Sequence, residues 1–519
     1  MPEIVLATLN AKYLHSSFGL RYLMANLGPL QSRAIIAEYD INQRPIDILE
    51  SLLDFSPRIV GLGIYIWNVT ESLELVSLLK RLRPELLVVL GGPEVSYETD
   101  EQEITRLADY VIAGEADTAF ATLSEALLNG NPPAHKIIQA GVPELARLRL
   151  PYTLYTDEDI RNRVLYVEAS RGCPFTCEFC LSSLDIPVRQ FPIEPFLQEL
   201  DSLLARGALQ FKFVDRTFNL NLNVSAAILR FFIQRLRPGL FVHFEMIPDR
   251  LPETLRHLIA QFPPGSIQLE VGIQTFDESV ARNISRRQDF VKLEENFRFL
   301  KGDTGVHIHA DLIAGLPGET AGSFGDGFDR LVALAPHEIQ VGILKRLRGT
   351  PIVRHDQEWG MVYSPVPPYE ILQNKLMDFA TLQQLRRFSR YWDLVGNSGN
   401  FIETTPLFWA KSGSPFASFL EFSDWLFQRT RRTHGIALNA LSELLFEFLV
   451  AVLKHPKPEI ANILWKDFQR AGRSEIPPFL RPFLPATIPS RHLPRHSSAP
   501  PRQTRHLPVS DLSKIRLKS

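Results

Sequence analysis

Cysteine is nearly absent from this 519-residue chain: there are three, and all of them lie between positions 173 and 180. Disulfide frameworks use thiols in pairs and spread them over a fold, so an odd number confined to one loop excludes that use and points to a reducing compartment and a ligand role. Long apolar runs are absent as well. No stretch approaches the roughly 18 uncharged residues of a membrane span, and the start, Met1-Pro-Glu-Ile-Val-Leu, lacks the basic stretch and apolar centre of a secretory leader. No membrane partner is expected, and the expected compartment is cytoplasmic. An excess of one charge is also missing: 56 Lys and Arg against 58 Asp and Glu leave a net charge of −2, which gives no general attraction for polyanions, so no nucleic-acid partner is expected.

What is present is a globular composition, 45% hydrophobic and 22% charged, on a chain long enough for about three domains. Over residues 1–130, short apolar runs at Ile4–Ala7, Ala34–Tyr39, Ile59–Ile66, Leu86–Leu90 and Tyr110–Ala113 alternate with stretches of helical spacing at Phe18–Leu27, Thr70–Arg81 and Asp117–Leu128. Such alternation predicts an α/β fold, a parallel sheet wrapped by helices. Several strands end in small residues: Gly61-Leu-Gly63, Gly91-Gly92-Pro-Glu94 and Ala113-Gly114-Glu115. Ligands of open sheets sit outside the carboxyl ends of the strands, so this domain reads as a cofactor holder; the alternative is that these glycines only make tight turns.

Residues 131–160, with four prolines before Tyr155, read as a linker. A second alternating series occupies 161–365, with strands expected at Leu165–Ala169, Leu209–Val214, Phe241–Met246, Ile267–Gln274, His307–Ala314 and Ile339–Leu344. Six strand-then-helix repeats suggest an incomplete parallel barrel, a partial (β/α)6. Residues 366–475 turn helical, with apolar residues at three- and four-residue spacing in Tyr369–Phe388, Pro415–Thr430 and Ala437–Lys454. The segment 476–519, rich in proline, arginine and serine, is expected to be a disordered tail.

After the first strand of the second series comes Ser170-Arg-Gly-Cys-Pro-Phe-Thr-Cys-Glu-Phe-Cys180. A C-x3-C-x2-C loop lets three soft thiolates, Cys173, Cys177 and Cys180, wrap three corners of an iron–sulfur cubane. The chain has no fourth cysteine, so one iron is left without a thiolate; zinc would require four tetrahedral ligands at other spacings. This loop resembles the signature of radical S-adenosylmethionine (SAM) enzymes. The resemblance implies a 4Fe–4S cluster whose open iron chelates S-adenosylmethionine, and an external one-electron reductant of flavodoxin or ferredoxin type. Cleavage would yield a 5′-deoxyadenosyl radical.

The same resemblance implies further SAM-binding positions. Phe179 would lie beside the adenine. Asp215, in Val214-Asp-Arg-Thr-Phe-Asn219, stands at an acidic strand end, and Glu245 lies near the end of the third strand. In Glu270-Val-Gly-Ile-Gln274, alternation puts Glu270, Gly272 and Gln274 on one face. Arg286, in Ser285-Arg-Arg287, would meet the methionine carboxylate. Asp311-Leu-Ile-Ala-Gly-Leu-Pro-Gly-Glu319 is similar to the family's fifth-strand motif, with Asp311, Gly315 and Glu319 as site residues. His307 and His309 share a face with Asp311, as proton donors, substrate contacts or hydrogen-bonded core histidines.

A glycine-ended parallel domain before such a series resembles the flavodoxin- or Rossmann-like domain of cobalamin (B12)-binding radical SAM superfamily proteins, here followed by a helical domain of unknown function. His15, Tyr65, Trp67, Asn68, Gly91, Gly92, Glu94, Gly114 and Glu115 are the positions implied to border cobalamin. The mutase-type D-x-H-x-x-G motif is missing where Lys12-Tyr-Leu-His-Ser-Ser-Phe-Gly19 stands, so cobalt without a histidine below it is expected. The implied reaction is methylation of an unactivated carbon of a small-molecule or peptide substrate; a non-methylating cyclisation, oxidation or rearrangement and an iron–sulfur sensor without turnover are the alternatives.

Overall fold

The computed structural model describes residues 1–185, 187–485 and 500–507. They form two compact units, the first made of Met1–Arg216, Lys345–Val353 and Ser364–Glu370, the second of Thr217–Leu344, Arg354–Tyr363 and Ile371–Ser519.

The first unit begins with a six-stranded sheet: β1 (Ile4–Asn10), β2 (Ala34–Asp40), β3 (Ile59–Gly63), β4 (Leu87–Gly91), β5 (Tyr110–Ala113) and β6 (Ile137–Gln139). All pairs are parallel, in the order β2-β1-β3-β4-β5-β6. β1 is buried along its whole length, and its alternating side chains feed two cores. Val5, Ala7 and Leu9 lie with Leu75, Val76 and Leu79 on one face, while Ile4 and Leu6 lie with Leu20, Phe120 and Leu123 on the other. A strand covered by helices on both sides has no polar face to show, which is why its sequence is a continuous apolar run. The order reverses between β1 and β3, the position at which ligands enter flavodoxin-like sheets.

Residues 131–160 differ from the linker that their prolines suggest. β6 pairs with β5 through Val111, Ile112 and Ala113, and Asp157–Asn162 is a helix closed by a Thr156–Asp159 capping box. A three-residue edge strand is too short for periodicity to reveal it, whereas Thr-x-x-Asp before a short helix was a readable cap. The unit continues with β7 (Leu165–Val167), a two-residue ladder of β8 (Ser170–Arg171) against β9 (Arg189–Gln190), and β10 (Gln210–Phe213), parallel to β7.

The second unit carries β11 (Phe241–Met246), β12 (Ile267–Gln274), β13 (His307–Ala314) and β14 (Glu338–Ile343), parallel and in sequence order. With β7 and β10 these complete the six strand-then-helix repeats expected from sequence. Helices then follow at Phe379–Val395, Pro415–Thr430, Leu438–Ala451 and Lys457–Arg470. Phe388, Trp392, Phe416 and Phe419 make an aromatic core in the first two of them, in which Phe419 meets Phe388 and Trp392 edge-to-face, a geometry that aromatic quadrupoles favour.

Two expectations for this region are corrected. Helix starts at Phe379, not at Tyr369: Ile371–Gln373 is a strand paired with Val362–Tyr363, and Asp378 caps the helix by accepting from the Thr381 N–H. The tail is helical at Pro501–His506, because its arginines find acceptors described below; residues 486–499 and 508–519 of the expected disordered segment lie outside the described residues. Among the described residues no helix is long and apolar enough to cross a membrane.

Candidate functional site

In the first unit the three cysteines occupy the loop that the β8–β9 ladder closes. None is in a disulfide; Cys173 and Cys177 are buried and Cys180 is partly exposed. Gly172, with φ +89°, turns the chain into the loop, where a Cβ would meet the Asp185 carbonyl oxygen at 2.6 Å. Cys173 N–H donates to that same carbonyl. Further along, Cys180 N–H donates to the Cys177 carbonyl, and the Ser183 hydroxyl donates to that of Cys180 at 2.6 Å.

Among the described residues no three His, Cys, Asp or Glu side chains are grouped as one metal ion requires. A cubane asks for a wider set, since each thiolate ligates its own iron. Three soft donors on one braced loop fit a cluster and not a single ion. Phe179 is half-buried beside Cys180. Asp215 is buried and accepts from Ala169 N–H at 3.0 Å and from the Ser170 hydroxyl at 2.5 Å. It fixes the chain entering the loop, and burial lifts its carboxyl to about 6.

At the carboxyl ends of β3, β4 and β5 lies a cavity of about 260 Å³, walled by Gly19, Gly61, Gly63, Gly91, Gly92 and Gly114, with Tyr65 and Phe120. A Cβ on Gly61 would stand 2.8 Å from the Phe120 ring, and one on Gly63 3.5 Å from Tyr65. The absence of side chains is what keeps the cavity open. Its size suits one arm of a macrocyclic cofactor and not the whole ring. Tyr65 stacks on half-exposed Trp67 with centroids 4.4 Å apart at 8°, giving a flat apolar surface beside Gly63.

The other residues expected near cobalamin are occupied elsewhere. The buried Asn68 amide accepts from Tyr65 N–H and donates to the carbonyls of Leu9 and Gly63. Glu94 is held by Arg348 at 2.9 Å and by the Tyr369 hydroxyl at 2.7 Å. His15 shares a 2.6 Å hydrogen bond with the Tyr166 hydroxyl, and burial lowers its pKa. Glu115 pairs with Arg171 and Arg189.

Arg171 was not singled out in the sequence. Its guanidinium binds Glu115 at 2.8 Å, Asp117 at 2.8 Å and Glu168 at 2.9 Å, and lies over the Tyr22 ring. Arg171 and Glu168 both line the glycine-walled cavity, and Arg171 stands two residues before Cys173. Burial lifts Glu168 to about 7 despite the arginine. The signal was present as Glu168-Ala-Ser-Arg171 ahead of the cysteines and Gly114-Glu-Ala-Asp117 after β5, but only the fold joins the two.

In the second unit the strand register sets Glu245, Glu270, His309 and Glu338 side by side across β11 to β14. Glu270 binds His243 Nε2 at 2.8 Å. His309 binds Asp311 through Nε2 at 3.3 Å and Glu338 through Nδ1 at 3.5 Å. Burial alone would lower His309, but these two carboxylates outweigh it and raise it to about 10. Gly272, Gln274 and Arg286 come together: Arg286 and Gln288 both donate to the Gly272 carbonyl, the latter at 3.1 Å. Gln274, at φ +74°, folds its amide over Gly272. Gly315 faces Ile371 and Leu382, so its missing side chain makes room for the helical region. Glu319 accepts from the Thr275 hydroxyl at 2.9 Å, and burial pushes its carboxyl well above the usual range.

Three family models match the chain: B12 binding domain over residues 4–124, Radical SAM superfamily over 167–331 and Protein of unknown function (DUF4080) over 357–485. The chain is similar to 2-(S-pantetheinyl)-carbapenam-3-carboxylate methyltransferase of Streptantibioticus cattleyicolor, 25% identical over 59% of this chain and 50% of that protein. It is similar in the same way to the cobalamin-dependent radical SAM methyltransferase TokK of Streptomyces tokunonensis, 25% identical over 60% and 52%. The chain therefore spans about half the length of these curated relatives. Among solved structures, TsrM from Kitasatospora setae, with cobalamin and a 4Fe–4S cluster bound, matches with a TM-score of 0.55 at 19% identity over 70% of this chain and 76% of that one. The cobalamin-dependent S-adenosylmethionine radical enzyme OxsB matches with a TM-score of 0.58 at 13% identity over 90% and 79%. These likenesses show the fold.

Proposed function

We propose that this chain, a B12-binding protein of the radical SAM superfamily, reductively cleaves S-adenosylmethionine and methylates an unactivated carbon of a small-molecule or peptide substrate. One observation carries the reading: Arg171 lines the glycine-walled cavity and leads directly into the three-cysteine loop. A cofactor arm in the cavity and a cluster on the loop would thus be held by one short stretch of chain. When bound, the cluster supplies the electron that splits the sulfonium and cobalamin supplies a methyl carrier, while the protein sets distance and excludes water.

The roles of the chain's own residues follow. Cys173, Cys177 and Cys180 would hold the cluster, with Asp215 fixing the entry of their loop. Tyr65 and Trp67 offer apolar area to a flat ring, and Gly91, Gly92 and Gly114 leave room for its arm. Glu168, at about 7, is able to hold or release a proton at the cavity wall near neutral pH. Gly272, Gln274, Arg286 and Asp311 would receive the amino-acid and nucleoside parts of S-adenosylmethionine. Enzymes of this superfamily take their electron from an external reductant, here one of flavodoxin or ferredoxin type.

The test is anaerobic purification of the full chain with iron, sulfide and cobalamin supplied, followed by spectra of both cofactors and a 5′-deoxyadenosine assay with a strong reductant. Label from methyl-labelled S-adenosylmethionine appearing in a substrate supports methyl transfer. Release of 5′-deoxyadenosine without label transfer would replace it by a non-methylating reaction, and iron binding without 5′-deoxyadenosine would leave only a sensor.

A further inference from the structure

The short helix Pro501–His506 lies against the amino-terminal edges of β12, β13 and β14, and its contacts are polar and specific. Arg502 reaches Glu338 at 2.8 Å and Asp393 at 2.7 Å, and its Nε donates to the Asn397 carbonyl at 3.1 Å. Gln503 donates to Gln268 at 2.9 Å, at the start of β12. Arg505 donates to the Ser398 carbonyl at 2.8 Å, and His506 Nε2 donates to that of Asn397 at 2.9 Å. Gly399, with φ +70°, admits the helix, since a Cβ there would stand 2.7 Å from that of Arg505.

Beneath Arg502 the contacts continue inward. Glu338 is 3% exposed and shares its two oxygens among Arg502, His307 and His309. His307 Nε2 lies 2.9 Å from Glu338 Oε1, and the His307 ring stacks on His337 at 4.8 Å and meets His506 edge-on at 5.3 Å. His309 then passes the chain of ion pairs to Asp311 on the same strand. A buried carboxylate needs a cation, and Arg502 fills that need without a proton on His307.

We propose that Arg502 is a positioning residue: as the counter-ion of Glu338 it fixes that carboxylate between His307 and His309 and holds His309 turned towards Asp311, the residue expected to receive S-adenosylmethionine. This rests on the function proposed above only in its last link. Removing Arg502 favours a proton on His307, against the repulsion by His309, which stays on Glu338. The repulsion by Arg502 disappears, Glu338 is shared with one fewer cation, and water enters, so His307 gains a proton more easily. His337, whose Nδ1 accepts from Ile308 N–H, and His506 are both held low by burial. Neither supplies the missing charge while buried, and Lys301 and Asp393 complete the charged surroundings.

The test is a pH titration of the histidine rings by NMR on the full chain carrying labelled histidine, with H307Q used to assign His307. In the wild type His307 titrates below its ordinary range, lowered first by burial. In R502A, and in a chain ending at residue 499, it should titrate at least about one pH unit higher. R502K should restore the low value, which a merely structural loss would not allow. An unchanged His307 titration in R502A overturns the proposal. With the loaded enzyme, R502A should raise KM for S-adenosylmethionine several-fold at near-constant kcat, with rescue by R502K; a shifted titration with unchanged KM overturns the link to Asp311. If the wild type cleaves no S-adenosylmethionine, the proposed function falls, while the titration still decides the role of Arg502.

Discussion

Asp215 allows a quantitative test of how the cysteine loop is held. Its carboxyl accepts from Ala169 N–H and the Ser170 hydroxyl, and burial lifts it from 3.8 to about 6. At about 1.4 kcal/mol per pH unit, that displacement amounts to about 3 kcal/mol of folding free energy. The folded pKa is raised, so the cost is fully present above pH 6, where folded and unfolded forms are both ionised. It is relieved as the pH falls through 6 towards 3.8, where the folded form takes up its proton first. D215N keeps the shape, accepts from Ala169 through its oxygen, donates to a rotated Ser170 hydroxyl and carries no charge. Relative to wild type it should therefore become more stable as pH rises, by about 1.4 kcal/mol between pH 5 and pH 8 and about 3 kcal/mol over the full range. Denaturant unfolding followed at several pH values measures this difference directly. D215A instead leaves a buried N–H without an acceptor, costing about 1–3 kcal/mol, and should lower the iron content after reconstitution. A stability gap between D215N and wild type that stays flat from pH 5 to pH 8 would refute the argument.

Other expectations are simpler. Replacing any of Cys173, Cys177 or Cys180 by serine should abolish both the visible absorption of the reconstituted cluster and the release of 5′-deoxyadenosine, while the circular dichroism of the apoprotein stays unchanged. G61V should force its side chain into the Phe120 ring, costing about 1–3 kcal/mol, and the purified protein should retain several-fold less cobalamin at equal supply. Glu319 is pushed well up by burial and bonded to the Thr275 hydroxyl, which favours the uncharged acid, so E319Q should melt within a degree or two of wild type. E319A should lose about 1–3 kcal/mol, and equal losses in the two variants would show that the carboxyl is ionised.

Much of the fold was legible because buried parallel strands announce themselves. β1, β3 and β13 stand where their apolar or alternating runs placed them, since a strand covered on one or both faces has little freedom in composition. β6 escaped notice because three residues at a sheet edge carry no period, and Tyr369 misled because three- and four-residue spacing fits both a short strand beside a cap and the helix that follows. At the candidate site, motif residues close in sequence could be singled out as candidates: the three cysteines on one loop, and Gly272 with Gln274 on one strand. Asn68 and Glu94 stood at the expected strand ends, but their polar atoms are taken up by backbone carbonyls and by Arg348, which the sequence keeps 254 residues away from Glu94. Arg171 and the Arg502–Glu338–His309 chain depend on such long-range meetings and left no local trace.

The clamp of three acids on Arg171 also bears on how the protein is assembled in the cell. If the cavity takes a cofactor arm and the loop a cluster, as proposed above, a guanidinium fixed at the cavity rim and joined to the thiolate loop is expected to couple their loading: whatever stiffens the rim also lowers the entropy that the loop must lose, and such coupling is reciprocal. Vitamin starvation should then appear as poor metal retention, and iron shortage as poor vitamin retention, in a chain whose sequence is unaltered.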